Sequence, residues 1–194
     1  MEQIVAALIG GLLAAGTGWF LQTRLEISRT NKFRELLTTG ICDDLNHSLG
    51  LYEKIEEEWE KTKIVWFSTL NELKESRLTY KENKNWIVLF ENTDTRKTIF
   101  KYYLRSSELI DMLEYQQKRK YDLGTKFNGL LSDIKLKNPE MEHQEATDLA
   151  ISYMASEDQE YRRLEISIPE NVTKLRKFRT EAKELIGTLN NEKP

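Results

Sequence analysis

The chain has 194 residues, a size that fits one compact domain and a short appendage. Its 29 basic and 32 acidic residues are well mixed and leave a formal net charge of −3, so no whole-chain field of one sign draws in nucleic acid or an acidic substrate. A single cysteine, Cys42, excludes an intrachain disulfide and paired-cysteine zinc sites, and a reducing compartment is expected for the bulk of the chain.

Residues 4–21, "IVAALIGGLLAAGTGWFL", carry no charge in a chain whose residues are 31% charged. A cleaved leader would want a positive N-terminal region, yet Met1, Glu2 and Gln3 precede the run, which is also long for the apolar part of a leader. With Gln22 and Thr23 the stretch reaches roughly 20 residues, and at about 1.5 Å per residue it matches a hydrocarbon core of about 30 Å. A soluble helix apolar on every face would need a core wrapped around it, for which the remaining chain is short. A transmembrane helix over 1–23 is therefore expected, followed by a domain over 24–190.

The flanks predict its orientation. Only Glu2 and the α-amino group precede the run, whereas Arg24, Arg29, Lys32 and Arg34 follow it, a cluster of the kind held on the cytoplasmic side. A single-pass inner-membrane protein is expected, with its N-terminus outside and its larger part cytoplasmic. Trp19 and Phe20 then fall near the cytoplasmic interface, where Trp is favoured.

Within the run, Ala6, Gly10, Ala14 and Gly18 repeat every four residues, and Ala7, Gly11 and Ala15 form a second row beside them. In lipid, association between helices depends on close backbone approach, which such small residues allow. The same composition is also common in membrane helices that stay alone. Two adjacent rows admit a neighbour on either side, so a homo-oligomeric ring is the expected assembly, with Thr17 and the small residues lining any pore.

No proline occurs before Pro139, and helical periodicity follows the run. Leu25, Phe33, Leu36, Leu37, Ile41, Leu45, Leu49, Tyr52, Ile55 and Trp59 recur at spacings near three and four, predicting a long amphipathic helix continuous with the span or following it. Gly40 and Gly50 weaken it, each by about 1 kcal/mol against Ala, and Gly50 is a candidate break. Val65, Trp66, Leu70 and Leu73 continue the pattern. "NWIVLF", 85–90, has no second strand to pair with and is expected to be helical or irregular. A further helix is predicted from Thr93, Asp94 or Thr95 through Ile134, with Gly124 or Gly129 as bend points. Asn138 is expected to cap the next helix, with Pro139 in its first turn. Likewise Pro169 is expected in the first turn of the last helix, whose stripe is Val172, Leu175, Phe178, Ala182, Leu185, Ile186 and Leu189. The predicted fold class is all-α: a transmembrane helix followed by a bundle of four or five antiparallel helices.

Catalytic signatures are missing. Asp43 and His47 share the spacing of two ligands on one helix face, but two ligands bind a metal weakly, and His143 sits among Glu140, Glu142 and Glu145 with no evident task. There is no phosphate loop, no H-E-x-x-H and no nucleophile elbow, so neither an enzyme nor a cofactor is expected. "EKIEEEWEK" fits a solvated helix face. "QQKRKYD" and "KLRKFR" alternate basic and aromatic residues as single-strand binders do, but Phe178 also fits its helix's apolar stripe, so solvated faces are the expectation and no nucleic-acid partner is expected.

A small-residue N-terminal span, a basic cluster after it and a charged helical bundle together resemble the membrane effectors and accessories of bacterial phage-defence systems. The layout is similar to the membrane pore accessory associated with the RNA-targeting type VI CRISPR nuclease. Members of that type carry a degenerate HEPN-like bundle whose nuclease motif is an Arg followed four to six residues later by His. Neither His47 nor His143 has such an Arg, so no nuclease role carries over. The resemblance implies an oligomeric assembly that permeabilises or depolarises the inner membrane, with the lipid bilayer, copies of itself and a defence-system protein as partners. Two other readings stand beside it: a membrane-tethered binding module or scaffold, and a helical nucleic-acid enzyme.

Overall fold

The computed structural model describes the backbone of residues 2–192 and the side chains of residues 15–192. Every regular element among them is helical: α1 (Glu2–Thr62), α2 (Phe67–Glu75), α3 (Leu78–Asn83), a 3-10 segment (Lys84–Leu89), α4 (Thr93–Lys137), α5 (His143–Glu157) and α6 (Gln159–Asn191). The all-α expectation holds. Among the described residues no helix is long and apolar enough to cross a membrane. The apolar run 4–21 lies across the limit of the described side chains, and 4–14 fall outside them.

α1 passes through Gly50 without a break, carried by the buried row Ile41, Leu45, Tyr52 and Ile55 on either side of it. It ends at Lys63, which takes the left-handed φ of 55°, while its N–H donates to the Trp59 carbonyl at 2.9 Å. The Thr62 hydroxyl accepts from the Ile64 N–H at 3.2 Å, and the turn delivers Val65 into the core. Asn92 caps α4 through the amides of Asp94 and Thr95, one residue earlier than the expected caps. The stretch 85–90 is the 3-10 segment and its exit, with Ile87 and Phe90 buried.

Both proline expectations are corrected. Asn138 closes α4 instead of opening α5: its backbone N–H donates to the Ile134 carbonyl at 3.0 Å and its side-chain amide to the same oxygen at 3.2 Å. α5 begins later, at His143. α6 starts ten residues before Pro169, at Gln159, where Asp158 accepts from the amides of Glu160 and Tyr161. An interior proline costs about 3 kcal/mol. Burying Leu164 and Ile168, at about 1.5–3 kcal/mol each, outweighs that cost, so the buried row carries the helix across.

The packing is less simple than an alternating antiparallel bundle. Contacts of Glu53 and Glu60 with Arg179 and Arg176 make α6 antiparallel to α1. Contacts of Arg105 and Arg119 with Glu181 and Glu160 make it antiparallel to α4 too. α1 and α4 therefore run the same way, with Tyr52 opposite Tyr102 and Lys63 opposite Lys120. The short α2, α3 and 3-10 segment return the chain between them. At the centre, the hydroxyls of Tyr52 and Tyr102 lie 3.0 Å apart, Tyr80 stacks on Tyr103 at 3.9 Å, and Phe178 closes the aromatic layer against Tyr102. Burial pushes the phenol pKa values of Tyr52, Tyr102 and Tyr103 up, so all three stay neutral.

Candidate functional site

α1 is far longer than the bundle it serves. Its first buried side chain among the described residues is Leu37, and before it the described side chains of 15–36 are exposed, apart from partly covered Thr23 and Arg34. The Thr23 hydroxyl donates to the Trp19 carbonyl one turn back at 2.9 Å. From Glu2 to Leu37 the helix would extend about 50 Å at about 1.5 Å per residue. This projecting arm is the feature that the bundle's own stability does not require.

Trp19, Phe20, Leu21, Leu25 and Ile27 are all exposed along it. At about 100° per residue they spread over roughly two-thirds of the circumference. Ala15 and Gly18 fall in the remaining third, while Thr17 lies on the side of the large residues. A Cβ built at Gly16 or Gly18 meets nothing within 4 Å, so no described residue covers either position. Of the predicted assembly face, Ala6, Ala7, Gly10, Gly11 and Ala14 lie outside the residues whose side chains are described.

The basic cluster divides in two. Arg24 lies over the Phe20 ring at 4.9 Å, and Arg29 and Lys32 are exposed on the arm. Arg34 instead belongs to the bundle: its side chain is only 13% exposed and its Nη1 donates to Glu91 at 2.5 Å. Beside it Phe33 meets Trp86 edge to face at 5.0 Å. These two contacts fasten the base of the arm to the 3-10 segment and its exit.

The other sequence candidates are absorbed by the fold. "KLRKFR" on α6 and "EKIEEEWEK" on α1, expected to be solvated faces, clasp each other: Arg176 reaches Glu56 at 3.0 Å and Glu60 at 3.5 Å, and Arg179 reaches Glu53 at 2.9 Å. In "QQKRKYD", Arg119 forks onto both carboxylate oxygens of Glu160 at 2.7 and 2.6 Å, which holds the Glu160 carboxyl below its ordinary pKa. Lys120 donates to the Lys63 carbonyl and lies 5.5 Å from the centroid of the Trp59 ring. Gln116 joins Ser167 and Asn171 between helices. Neither run forms an open basic track. Asp43, His47 and His143 are exposed, and among the described residues no group of three or more His, Cys, Asp or Glu is placed to hold a metal ion.

Set against protein-family models, curated proteins and solved structures, the chain finds no match.

Proposed function

We propose that the chain is an oligomeric single-pass membrane protein that permeabilises or depolarises the inner membrane as an antiviral-defence effector or accessory. In this reading residues 4–21 insert into the bilayer, N-terminus outward, and the helical bundle lies in the cytoplasm. The observation that carries it is the arm of α1, which leaves the bundle without a partner and begins with an uncharged run, 4–21, that ends in exposed Trp19, Phe20 and Leu21 about 100° apart around the helix. A helix apolar on one stripe suits one protein groove, whereas one apolar nearly all round suits hydrocarbon.

The magnitudes support insertion. The eight Leu, Ile, Val and Phe residues of 4–21 each favour insertion by about 0.3–0.6 kcal/mol, together about 2–5 kcal/mol, and no charged residue opposes them. Arg24, Arg29 and Lys32 then lie just beyond the span, placed to meet anionic headgroups. The third of the arm free of the exposed large apolar side chains holds Ala15 and Gly18, small residues of the kind that allow close helix approach in lipid.

A second reading, a membrane-tethered binding module or scaffold without pore activity, uses the same arm as an anchor only. Single-channel recording of the reconstituted full chain separates the two. A pore requires conductance that fails in Gly18→Leu but persists in Gly16→Leu, with loss of the oligomer in detergent only for the former. Neither position has a described neighbour within 4 Å of an added Cβ, so misfolding of the bundle does not confound the comparison. Absence of conductance in every condition, or function retained when an unrelated poly-Leu helix replaces 4–21, overturns the pore.

A further inference from the structure

Arg77 is a buried cation without a counter-ion. It is 9% exposed, and no carboxylate of the described residues lies within salt-bridge distance of it. Its Nη2 donates to the Tyr103 carbonyl, its guanidinium lies 5.2 Å from the Tyr103 ring centroid, and its Nε is buried with no acceptor. An uncompensated guanidinium is costly in a folded interior. An anion entering beside it would supply the missing charge.

The surroundings make the cost larger. Arg77 lines a cavity of about 330 Å³ together with Lys74, Lys81, Lys84, Tyr80 and Ser107. One carboxylate, Asp111, faces these cations, and it is already engaged by Lys74 at 3.1 Å, which also bonds Glu114. Lys81 and Lys84 reach the cavity from exposed positions on α3 and the 3-10 segment. Ser107 on α4 and the Tyr80 phenol add hydroxyl groups to the wall.

We propose that this cavity binds a small phosphate-bearing molecule, with Arg77, Lys81 and Lys84 as the ligands of its phosphate. Three cationic side chains and hydroxyl donors around one concavity match the charge and the oxygens of a phosphate group. The volume is at the small end of ligand cavities, so the site suits a small phosphate rather than a macromolecule. A polynucleotide would need the positive surface to continue, and the arginines of the neighbouring basic runs on α4 and α6 are engaged by carboxylates. A lipid headgroup is out of reach on the membrane reading. The cavity wall is tied to α1 at Asp44, which accepts from Thr79 and Tyr80, about 35 Å along the helix from residue 21. The ligand is therefore a soluble one, and the site itself stands whether or not the arm enters a bilayer.

The test is calorimetric titration of the full chain in detergent with inorganic pyrophosphate. Saturable binding is expected that weakens about tenfold or more in Lys81→Ala/Lys84→Ala, the loss typical of charge-assisted hydrogen bonds. Sodium chloride at matched ionic strength should give no saturable heat. Arg77→Met, checked for retained helicity, should abolish binding, and if it fails to fold, the exposed lysine pair decides alone. The proposal is overturned if pyrophosphate does not bind at millimolar concentration, or if it binds the lysine double variant as well as wild type. It is equally overturned if that variant loses affinity only for phosphatidylglycerol vesicles and not for pyrophosphate, which would make lipid the anion.

Discussion

Two glycines on α1 are predicted to respond in opposite directions to the same substitution. At Gly50 an added methyl meets nothing within 4 Å, so Gly50→Ala gains the helix propensity of alanine, about 1 kcal/mol. At Gly40 the new Cβ would stand 2.6 Å from Thr79 Cγ2 and 3.3 Å from Thr79 Oγ1, against about 3.5–4.0 Å for an ordinary carbon contact. Thr79 has little freedom to give way. It is β-branched, and its hydroxyl donates to Asp44 at 2.9 Å, a bond that α3 relies on for its docking against α1. Overpacking costs about 1–3 kcal/mol against a propensity gain of about 1 kcal/mol, and the 2.6 Å approach places Gly40→Ala toward the upper end of a net destabilisation of up to about 2 kcal/mol. In thermal unfolding followed by circular dichroism, a chain of this size shifts about 2–4 °C per kcal/mol. Gly50→Ala should melt higher and Gly40→Ala lower than wild type. Thr79→Ser removes Cγ2 while keeping the hydroxyl, so Gly40→Ala in that background should lose most of its penalty. If Gly40→Ala stabilises as much as Gly50→Ala, or if Thr79→Ser brings no relief, the packing of α3 on α1 described above is wrong.

Asp158 gives a pH dependence. The bond from Lys126, followed by the Tyr161 amide, holds its carboxyl below the ordinary value, so the stability it confers is present above about pH 4 and is lost as the pH falls through the lowered folded-state pKa. Asp158→Asn keeps the cap acceptor but not the charge, so its deficit against wild type should be largest at neutral pH and close as acid unfolding is approached. Asp158→Ala also loses the α6 cap, a further loss of about 1 kcal/mol. Asp44 has the opposite sign: burial raises its carboxyl pKa, and the contribution it makes fades as the pH rises through that raised value. Lys63→Gly should raise the melting point by about 1 kcal/mol of stability, since a left-handed φ of 55° is free of strain only for glycine. A fall in melting point there would show that the Lys63 stem on Trp59, 5.7 Å from ammonium to ring, outweighs the backbone.

Helix content was legible because the stripe from Leu37 to Ile55 and the one from Val172 to Leu189 keep a spacing near three and four, and burial follows them, with Leu49 and Ile186 half-buried. Leu25 and Leu36 obey the same spacing yet stay exposed, because periodicity does not say where a bundle ends along a helix longer than itself. Pro139 and Pro169 are both strong local signals of a helix start, but at 139 a local closure decides, Asn138 bonding the Ile134 carbonyl, and at 169 the buried row of α6 does. The pairing of Arg176 with Glu56 spans 120 positions, so two runs that each resemble a solvated face gave no sign that they solvate one another. Arg77 was hidden in the polar stretch "KESRLTY". Leu73 four residues before it and Tyr80 three after it are the only local hint that it turns inward, and both spacings are weak beside a strongly charged neighbourhood.

The unbroken course of α1 makes the protein a lever. Some 60 residues in one helix amount to a rod of about 90 Å, with the aromatic layer at one end and the apolar run at the other. Its last anchor before the arm is the pair of contacts Phe33–Trp86 and Arg34–Glu91, and Lys81 and Lys84 of the cavity sit on the same short elements between α1 and α4 that hold Trp86. A ligand that draws Lys81 and Lys84 inward would pull on the same 3-10 segment that grips the rod at Trp86 and Glu91. A small displacement at that fulcrum becomes a tilt or a turn of the far tip, magnified by the length of the arm, without any helix having to unwind.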